Sequence, residues 1–321
     1  MIGQSNLPRR KRSTLARNQC MSRKMSRLLV FVLALVGLCN VTCASAGESL
    51  FGWLYMAEIH PPGTAEYEHK SFLQQSQSRG HYSFLKNQEE IEYGVTDRLQ
   101  LAGYLNWTYA NAARNGIDGT TGGPGVSQFR DSSADPFGRY SRARFDTVAA
   151  EFIYQVLNPI TDPIGLALYA EPEIGPAEFD LEWKLILQKN LFDDRLILAA
   201  NVFGTIERET TKEGEIEKAS PLDVSVGASY HFVDNWFAGF EARIHNEFSG
   251  YAFNSAEHSA FFVGPVLHYA TKDFWVTAAW RHQLPMVATY NEDQRAVSVG
   301  GRIYGDEHAR DEIMFRVGVP F

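Results

Sequence analysis

The sequence predicts an all-β protein: a single antiparallel transmembrane β-barrel of about twelve strands, with short periplasmic turns and long external loops. Three observations predict this fold. Apolar and polar residues alternate over segments of ten or more residues, short and long connections follow each other along the chain, and aromatic residues collect at both ends of the segments. After residue 46, no apolar run approaches the ~20 residues of a membrane-spanning helix. Strands would therefore cross the bilayer.

The last strand shows the alternation most clearly. Ile313, Phe315, Val317, Val319 and Phe321 occupy every second position. Because successive side chains on a strand point to opposite faces, these five residues form one apolar face that suits lipid. The final four of them resemble the assembly signal of bacterial outer-membrane barrels. A strand of a soluble sandwich alternates equally well, but such strands usually have only about 5–6 residues.

Twelve segments follow this pattern, and their length matches the ~9–11 residues that a tilted strand needs to cross a bilayer. Most connections are short and rich in Asp and Asn, which form turns. Two connections, 111–144 and 285–310, are much longer. An even number of strands places both ends of the chain on the periplasmic side. The predicted strands are 64–75, 80–94, 98–110, 145–157, 164–174, 177–189, 194–208, 220–232, 235–248, 259–270, 273–284 and 311–321.

The N-terminal part of the chain has the organisation of an export signal. Residues 1–46 contain eight Lys or Arg residues and no acid, and an apolar run from Leu28 to Cys39 precedes the small residues Ala44-Ser45-Ala46. We predict that 1–46 is a cleaved signal peptide, that 47–63 is a periplasmic N-terminal segment, and that 64–321 is the barrel in the outer membrane of a Gram-negative bacterium. For residues 50–63, a position beneath the barrel and a position inside it both stay open. Twin-arginine export and lipidation are the less favoured alternatives, and translation starting at Met21 or Met25 stays open.

The composition of the exported part excludes several functions. All three cysteines lie in the first 46 residues, so a disulfide scaffold, a thiol enzyme and a cysteine-ligated metal site are excluded for the rest. The chain after residue 46 holds all 38 acids but only 22 of the 30 bases, so its net charge is twice the −8 of the whole sequence. An acidic chain lacks the basic surface that a nucleic-acid partner requires.

Aromatic residues lie where a barrel wall would meet the two membrane–water interfaces, which select amphipathic rings. We expect one band beside the short turns and another at the opposite strand ends. The predicted interface aromatics are Tyr93, Trp107, Tyr109, Phe192, Trp236, Phe274 and Trp275.

The polar faces of the strands would line the barrel interior, where charges are costly unless they are paired or hydrated. Two interpretations stay open. The charges pair across the lumen and brace a nearly closed barrel, or they line a narrow path for cations or polar solutes. The lumen-lining candidates are Glu90, Glu92, Glu151, Glu171, Asp180, Glu182, Lys184, Glu241, Arg243, His245, Arg281 and Arg316.

Enzymatic and metal-binding motifs are weak. His81 and Ser83 share one side of a strand and faintly resemble the His-x-Ser arrangement of outer-membrane phospholipases, but the Asn-Gly that follows the serine in those enzymes is missing. His245, beside Arg243 and Glu241, fits a lumen network better than a metal site. We therefore predict no catalytic residue, no cofactor and no metal site.

The stretch from Glu89 to Leu101, which contains EIEYGVTDRLQ, resembles the strand–turn–strand signature of an uncharacterised family of bacterial outer-membrane barrels related to barrels associated with meta-pathway phenol degradation. Residues 50–55, Gly264-Pro265 and 316–321 also resemble this family, whereas 285–310 is longer than expected. The resemblance implies an outer-membrane transporter of small, aromatic molecules and carries no established site residue.

These observations favour a narrow channel or carrier for small aromatic or cationic molecules. The expected partners are outer-membrane lipid, the barrel-assembly machinery and a small-molecule solute. The alternatives are a closed barrel with a structural or surface-interaction role, and an outer-membrane lipid hydrolase.

Overall fold

The computed structural model describes residues 49–75, 79–116, 118–131, 133–296, 298–306 and 309–321, without the side chains of 293 and 296. The predicted signal peptide lies outside these residues. The regular secondary structure of the described residues consists almost entirely of β-strands. In chain order the elements are β1 (Ala65–Gln75), β2 (His81–Thr96), β3 (Leu99–Ala113), β4 (Tyr140–Leu157), β5 (Gly165–Ile174), β6 (Glu178–Leu191), β7 (Leu196–Thr210), β8 (Ile216–Ala219), β9 (Leu222–Val233), β10 (Trp236–Ser249), β11 (Ser255–Ala270), β12 (Trp275–Leu284), α1 (Glu292–Ala296), β13 (Ser298–Val299), β14 (Arg302–Ile303) and β15 (Asp311–Pro320).

Twelve of these strands form a closed antiparallel barrel. Each long strand pairs with its neighbours, and the ring closes where β1 pairs with β15, with Glu66 opposite Pro320 and Gln75 opposite Asp311. Closure leaves no unpaired sheet edge. The predicted all-β barrel of about twelve strands is therefore confirmed.

Most strand bounds differ from the sequence prediction by one to four residues, and two differences are larger. Strand β4 begins at Tyr140 instead of residue 145, because its first residues pair with the extended end of β3, with Ala112 opposite Tyr140. The short strand β8 was not predicted, and it pairs with the end of β7. Both differences lengthen the wall at the same end of the barrel. We call this the long-loop end and the opposite one the short-turn end.

The outer wall carries a continuous apolar surface. Side chains with large exposed fractions alternate along the strands with buried ones, as in β15, where Phe315, Val319 and the following Phe321 are exposed and Val317 is half-buried. No helix among the described residues is long and apolar enough to span a bilayer.

The predicted interface aromatics lie on this outer wall, with one exception. Tyr93, Trp107, Phe192 and Phe274 are exposed, and Tyr109 and Trp236 are half-buried.

The prediction for Trp275 is wrong, because its side chain is 1% exposed and points into the barrel. Its register partner Gly318 has no side chain, which leaves space for the indole, and the indole Nε1 donates to Glu66 Oε1 at 2.8 Å.

Segments from two long loops fold into the mouth at the long-loop end. Val126, in the β3–β4 loop, is fully buried and packs with Tyr82, Ala112 and neighbouring residues. Gln128 reaches across the mouth and donates to Glu209 Oε2 at 2.5 Å. From the β12–β15 connection, Gln294 is 2% exposed. The loops therefore narrow this end of the barrel.

Residues 49–60 lie inside the barrel, and we call them the plug. Phe51 and Leu54 are fully buried and pack against inward-facing residues of several strands, including Ile197, Val266 and Met314. Of the two positions that the sequence leaves open for the N-terminal segment, beneath the barrel or inside it, these residues therefore have the second. The apolar side chains of the plug are buried by the wall, which a segment beneath the barrel could not achieve.

Candidate functional site: the plugged interior

The predicted lumen residues all lie on inward-facing positions of the wall. The structure distributes them over both halves of the barrel, so they do not form one cluster. Eight are at most 8% exposed: Glu90, Glu92, Glu151, Glu171, Lys184, Glu241, Arg281 and Arg316. Asp180, Glu182, Arg243 and His245 are half-buried.

Side chains of the wall hold the plug by its backbone. Asn201 accepts from the Tyr55 N–H at 2.7 Å and donates to the Tyr55 carbonyl at 3.0 Å. Gln188 and Gln155 bind the N–H and carbonyl of Ala57 at 2.8 and 2.7 Å. A buried, irregular backbone needs such partners because its polar groups cannot reach water.

Carboxylates and cations hold the beginning of the plug. Glu241 accepts hydrogen bonds from the backbone N–H groups of Gly52 and Trp53, the second at 3.1 Å. Arg316 forms a two-point ion pair with Glu68 and also donates to Ser49 Oγ at 2.6 Å. The arginine therefore joins the wall to the plug.

His60 holds the end of the plug. Its backbone N–H donates to Gln100 at 2.8 Å, and its Nε2 lies 2.7 Å from Glu92 Oε2. Burial lowers the pKa of His60, but the hydrogen bond and charge of Glu92, with the charges of Glu66 and Glu68, outweigh burial and raise this pKa above 6.5. The imidazolium form is therefore favoured while the plug is in place.

A cavity of about 390 Å³ borders Gly52, Trp53 and Tyr55 of the plug, and we call it the inner chamber. Lys184 Nζ lies 3.7 Å from the ring centre of Tyr169 and 4.2 Å from that of Tyr55, and the Arg281 guanidinium lies 3.9 Å from the Trp53 ring. Such cation–π contacts are favourable where water is excluded. The side chains lining this chamber include Trp53, Tyr55, Lys70, Phe72, Lys184, Phe203, Arg243, Arg281 and Arg316.

The cations around the inner chamber are paired. Lys70 lies 2.6 Å from Glu90, Lys184 pairs with Glu182, and Arg281 pairs with Glu312. Arg243 pairs with the fully buried Asp223. These pairs join neighbouring strands or two residues of one strand, so they neutralise charge along the wall and do not span the lumen.

A larger cavity of about 780 Å³ occupies the long-loop end, and we call it the outer vestibule. Gln74 borders both cavities, so the vestibule and the chamber are neighbours. Carboxylates outnumber cations on its walls. The charged and imidazole side chains lining the vestibule are Glu207, Glu209, Glu217, Lys218, His245, Glu247, Glu257, His258 and Asp306.

Towards the short-turn end, the space beside the plug shrinks to about 30 Å³. This volume holds a water molecule or two and no solute. Its lining includes Tyr55, Met56 and Glu58 from the plug and Gln100 and Ile153 from the wall. The plug and the wall therefore pack closely towards the short-turn end.

The outer wall carries a polar chain that the sequence analysis missed. His69 Nδ1 lies 3.0 Å from Glu89 Oε1, and His69 Nε2 lies 2.9 Å from Ser71 Oγ. The available signal was the His-x-Ser spacing, which occurs here as well as at His81 and Ser83. His81 and Ser83 face outward near the start of β2, and the described contacts include no hydrogen bond between them.

The plug-binding amides were also missed. Gln100, Gln155, Gln188 and Asn201 are at most 6% exposed and face inward. Their positions on the polar strand faces were visible in the sequence. The segment that they bind was not, because residues 49–60 show no strand or helix periodicity.

The closed amphipathic barrel with an internal plug has the architecture of outer-membrane barrel proteins. More specifically, the chain belongs to a family of unknown function, DUF6662, whose model matches residues 43–321. A comparison with curated protein sequences finds no match.

Several solved barrels are similar to this chain. The COG4313 outer membrane channel from Pseudomonas putida F1 matches with a TM-score of 0.54 and 10% identity, over 83% of this chain and 98% of that one. The NanC porin matches with a TM-score of 0.46 and 11% identity, over 79% and 98%. The beta domain of the Bordetella autotransporter Brka matches with a TM-score of 0.45 and 13% identity, over 81% and 100%. Because the sequence identity to the channel is so low, the likeness to it is a likeness of fold.

Proposed function

We propose that this protein is an outer-membrane channel for small molecules whose closed state is set by residues 49–60. The observation that carries the proposal is the pair of neighbouring cavities, the outer vestibule and the inner chamber, of which the chamber borders the plug. In this arrangement the long loops face the outside and the short turns face the periplasm. The solute enters the vestibule, binds in the chamber and passes when the plug moves.

The plug is suited to a movable role because its contacts are side-chain contacts. It adds no strand to the barrel, so its displacement breaks no strand pairing. Its hold consists of buried apolar packing around Phe51 and Leu54, and of hydrogen bonds to wall residues such as Asn201 and Gln188. Removing it would leave the wall closed and widen the passage.

The chemistry of the two cavities favours small aromatic or cationic solutes. The carboxylates of the vestibule raise the local concentration of cations. The chamber exposes rings of Trp53, Tyr55, Phe72 and Phe203 on which an aromatic solute can stack. The resemblance to barrels associated with phenol degradation agrees with an aromatic solute.

Single-channel recording in planar bilayers tests this proposal. We expect low conductance from the mature protein and a several-fold higher conductance after deletion of residues 49–59. Replacement of the exposed turn residues 212–215 by Asn-Gly is the control, because these residues are not among those that fold into the mouth. A plug-deleted barrel that is folded and conducts no more than the intact protein would contradict the channel and would favour the structural alternative.

A second candidate activity, acyl-ester hydrolysis at the outer wall, is favoured by the Glu89–His69–Ser71 chain. A carboxylate orients the histidine and the histidine contacts a hydroxyl, which is the arrangement of a serine hydrolase. Ser71 Oγ would attack the ester carbonyl carbon, and its proton would pass through His69 Nε2 to the departing alcohol. Water would then release the acid from the acyl-serine.

Asn87 decides where the Ser71 proton points. The Ser71 hydroxyl donates to Asn87 Oδ1 at 2.7 Å, and Asn87 Nδ2 is buried without a partner among the described residues. A flip of this amide, which exchanges its oxygen and nitrogen, would let Nδ2 donate to Ser71 Oγ and would free the hydroxyl proton for His69. Labelling by a fluorophosphonate that is lost in Ser71→Ala and kept in Ser83→Ala would support the hydrolase. Equal labelling of both variants would exclude it.

A further inference from the structure

Three potential metal ligands meet on the wall of the outer vestibule. His245 and Glu247 are two residues apart on β10 and face inward, and His258 on β11 is the register partner of Glu247. The side chains are 13%, 34% and 14% exposed. Two imidazoles and a carboxylate therefore share one small region of the wall that is open to the cavity.

Their spacing resembles that of ligands around an ion more than that of hydrogen-bond partners. Glu247 Oε2 lies 3.7 Å from His245 Nε2 and 3.7 Å from His258 Nε2, and the three ligand atoms lie within 4.8 Å of one another. Direct N–H···O bonds would be about 2.7–3.2 Å long. Ligands at about 2.0–2.2 Å from a tetrahedral zinc ion are about 3.3 Å apart, so a small contraction would complete the coordination.

A carboxylate behind the cluster orients one of the imidazoles. His245 Nδ1 lies 2.8 Å from Oδ1 of the fully buried Asp223. Asp223 also pairs with Arg243, whose Nη2 lies 3.0 Å from the same ring nitrogen. When His245 Nδ1–H donates to Asp223, the Nε2 lone pair points towards Glu247. This carboxylate–histidine arrangement is common at metal sites.

A second group of possible ligands shows the contrast. His60, Glu66 and Glu92 also lie close together, but His60 Nε2 is bonded directly to Glu92 at 2.7 Å, and all three are buried beside the plug. In that group the histidine and a carboxylate satisfy each other, and the cavity that Glu92 borders measures only about 30 Å³. The vestibule cluster has both the wider spacing and the access.

We propose that His245, Glu247 and His258 bind a divalent transition metal ion of the zinc class, with Asp223 as the positioning residue for His245. Two nitrogen ligands and one oxygen ligand suit Zn²⁺, with solvent filling the fourth position. The bound ion lies at the entrance to the inner chamber and offsets part of the negative charge of the vestibule. This site does not depend on whether the barrel conducts.

Metal titration of the purified, folded full-length protein tests this inference. After treatment with a chelator, we expect calorimetry to show one Zn²⁺ bound per chain and Co²⁺ to give the absorption of a low-coordinate site. His258→Gln is expected to weaken Zn²⁺ binding at least tenfold, and Asp223→Asn by about 10–100-fold with unchanged stoichiometry. His282→Gln is the matched control. His282 Nδ1 lies 2.9 Å from Asp311 Oδ1, and neither residue belongs to the cluster.

Two outcomes would overturn the site. Zn²⁺ binding that is the same in His258→Gln and in the control would show that the cluster is not the binding site. Competition by Ca²⁺ at equal concentration would indicate a carboxylate site instead, because Ca²⁺ prefers oxygen ligands. Heat-dependent gel mobility verifies folding of each variant, and Glu247→Gln replaces Asp223→Asn if the latter does not fold.

Discussion

The two halves of the barrel interior accommodate charged side chains in different ways. Towards the short-turn end the plug fills the space, and the charges Arg316, Glu68 and Glu241 are at most 5% exposed and fully partnered. Towards the long-loop end an open cavity holds an excess of carboxylates, including the exposed Glu217. Charges inside a barrel are thus tolerated either by pairing or by hydration.

The comparison separates stability from permeation. A buried pair that loses one partner leaves an uncompensated charge, whereas a hydrated carboxylate loses little when it is neutralised. Substitutions near the plug should therefore change the free energy of unfolding, and substitutions in the vestibule should change which solutes enter. The predictions below test this division, beginning with the largest effect.

Arg316→Met is expected to lower the free energy of unfolding by about 3 kcal/mol, because the buried Glu68 loses its two-point ion pair and keeps only the cation of Lys70, at 3.5 Å. Arg316 also holds Ser49 of the plug, so conductance should rise as well. Urea unfolding in detergent micelles measures the first effect. Arg98→Met, the same substitution at an exposed residue, should cost no more than about 0.5 kcal/mol. Equal losses in the two variants would remove the distinction between buried and exposed cations.

Gly227→Ala tests the apolar part of the plug contact. A Cβ at this inward position would lie 2.5 Å from Leu54 Cδ1 and 2.8 Å from Phe51 Cε1. Such overpacking costs about 1–3 kcal/mol, and displacement of the plug relieves its two closest contacts, whereas the third, at 2.9 Å from Phe240 O of the wall, remains. We expect a higher open probability in bilayer recordings. Gly103→Ala is the control, because its Cβ would meet only Ala149 O, at 3.9 Å. An unchanged open probability in Gly227→Ala would mean that the plug stays in place.

The pH dependence of closure tests the other end of the plug. The pKa of His60 is raised in the folded state, so its contribution is fully present below about pH 6.5 and is lost as the pH rises through the higher folded value. Conductance should therefore increase with pH above 6.5. His60→Gln should remove this dependence, and the exposed His81→Gln should keep it. A pH profile identical in all three proteins would contradict a role for His60.

The sequence predicted the strands of the wall better than the plug and the contacts inside the barrel. All twelve barrel strands followed from the period-two alternation, because alternation reflects a wall with an apolar outer face and a polar inner face. The same alternation also places Trp275 on the inner face, because the lumen residue Arg281 lies six positions further along the strand, and Gly318 on the neighbouring strand leaves the space for the indole.

The contents of the interior depend on contacts between distant parts of the chain. Some hydrogen bonds of the plug join residues far apart in the sequence. Trp53 and its partner Glu241 are 188 positions apart, and Ser49 and its partner Arg316 are 267 positions apart. The metal cluster needs His258 from the strand after His245, so the spacing on one strand did not reveal it. Periodicity describes single strands and carries no information on such pairs.

Glu217→Gln combined with Glu257→Gln is expected to have the smallest effect on stability and a selective effect on permeation. Both residues line the vestibule, and neither belongs to the described ion pairs. The free energy of unfolding should change by no more than about 0.5 kcal/mol per substitution. In a salt gradient, the reversal potential of the plug-deleted barrel should move towards the value of a non-selective pore, because fewer carboxylates attract cations. If the double variant were destabilised as strongly as Arg316→Met, the vestibule carboxylates would be structural, and hydration would not explain how the long-loop end tolerates its charge.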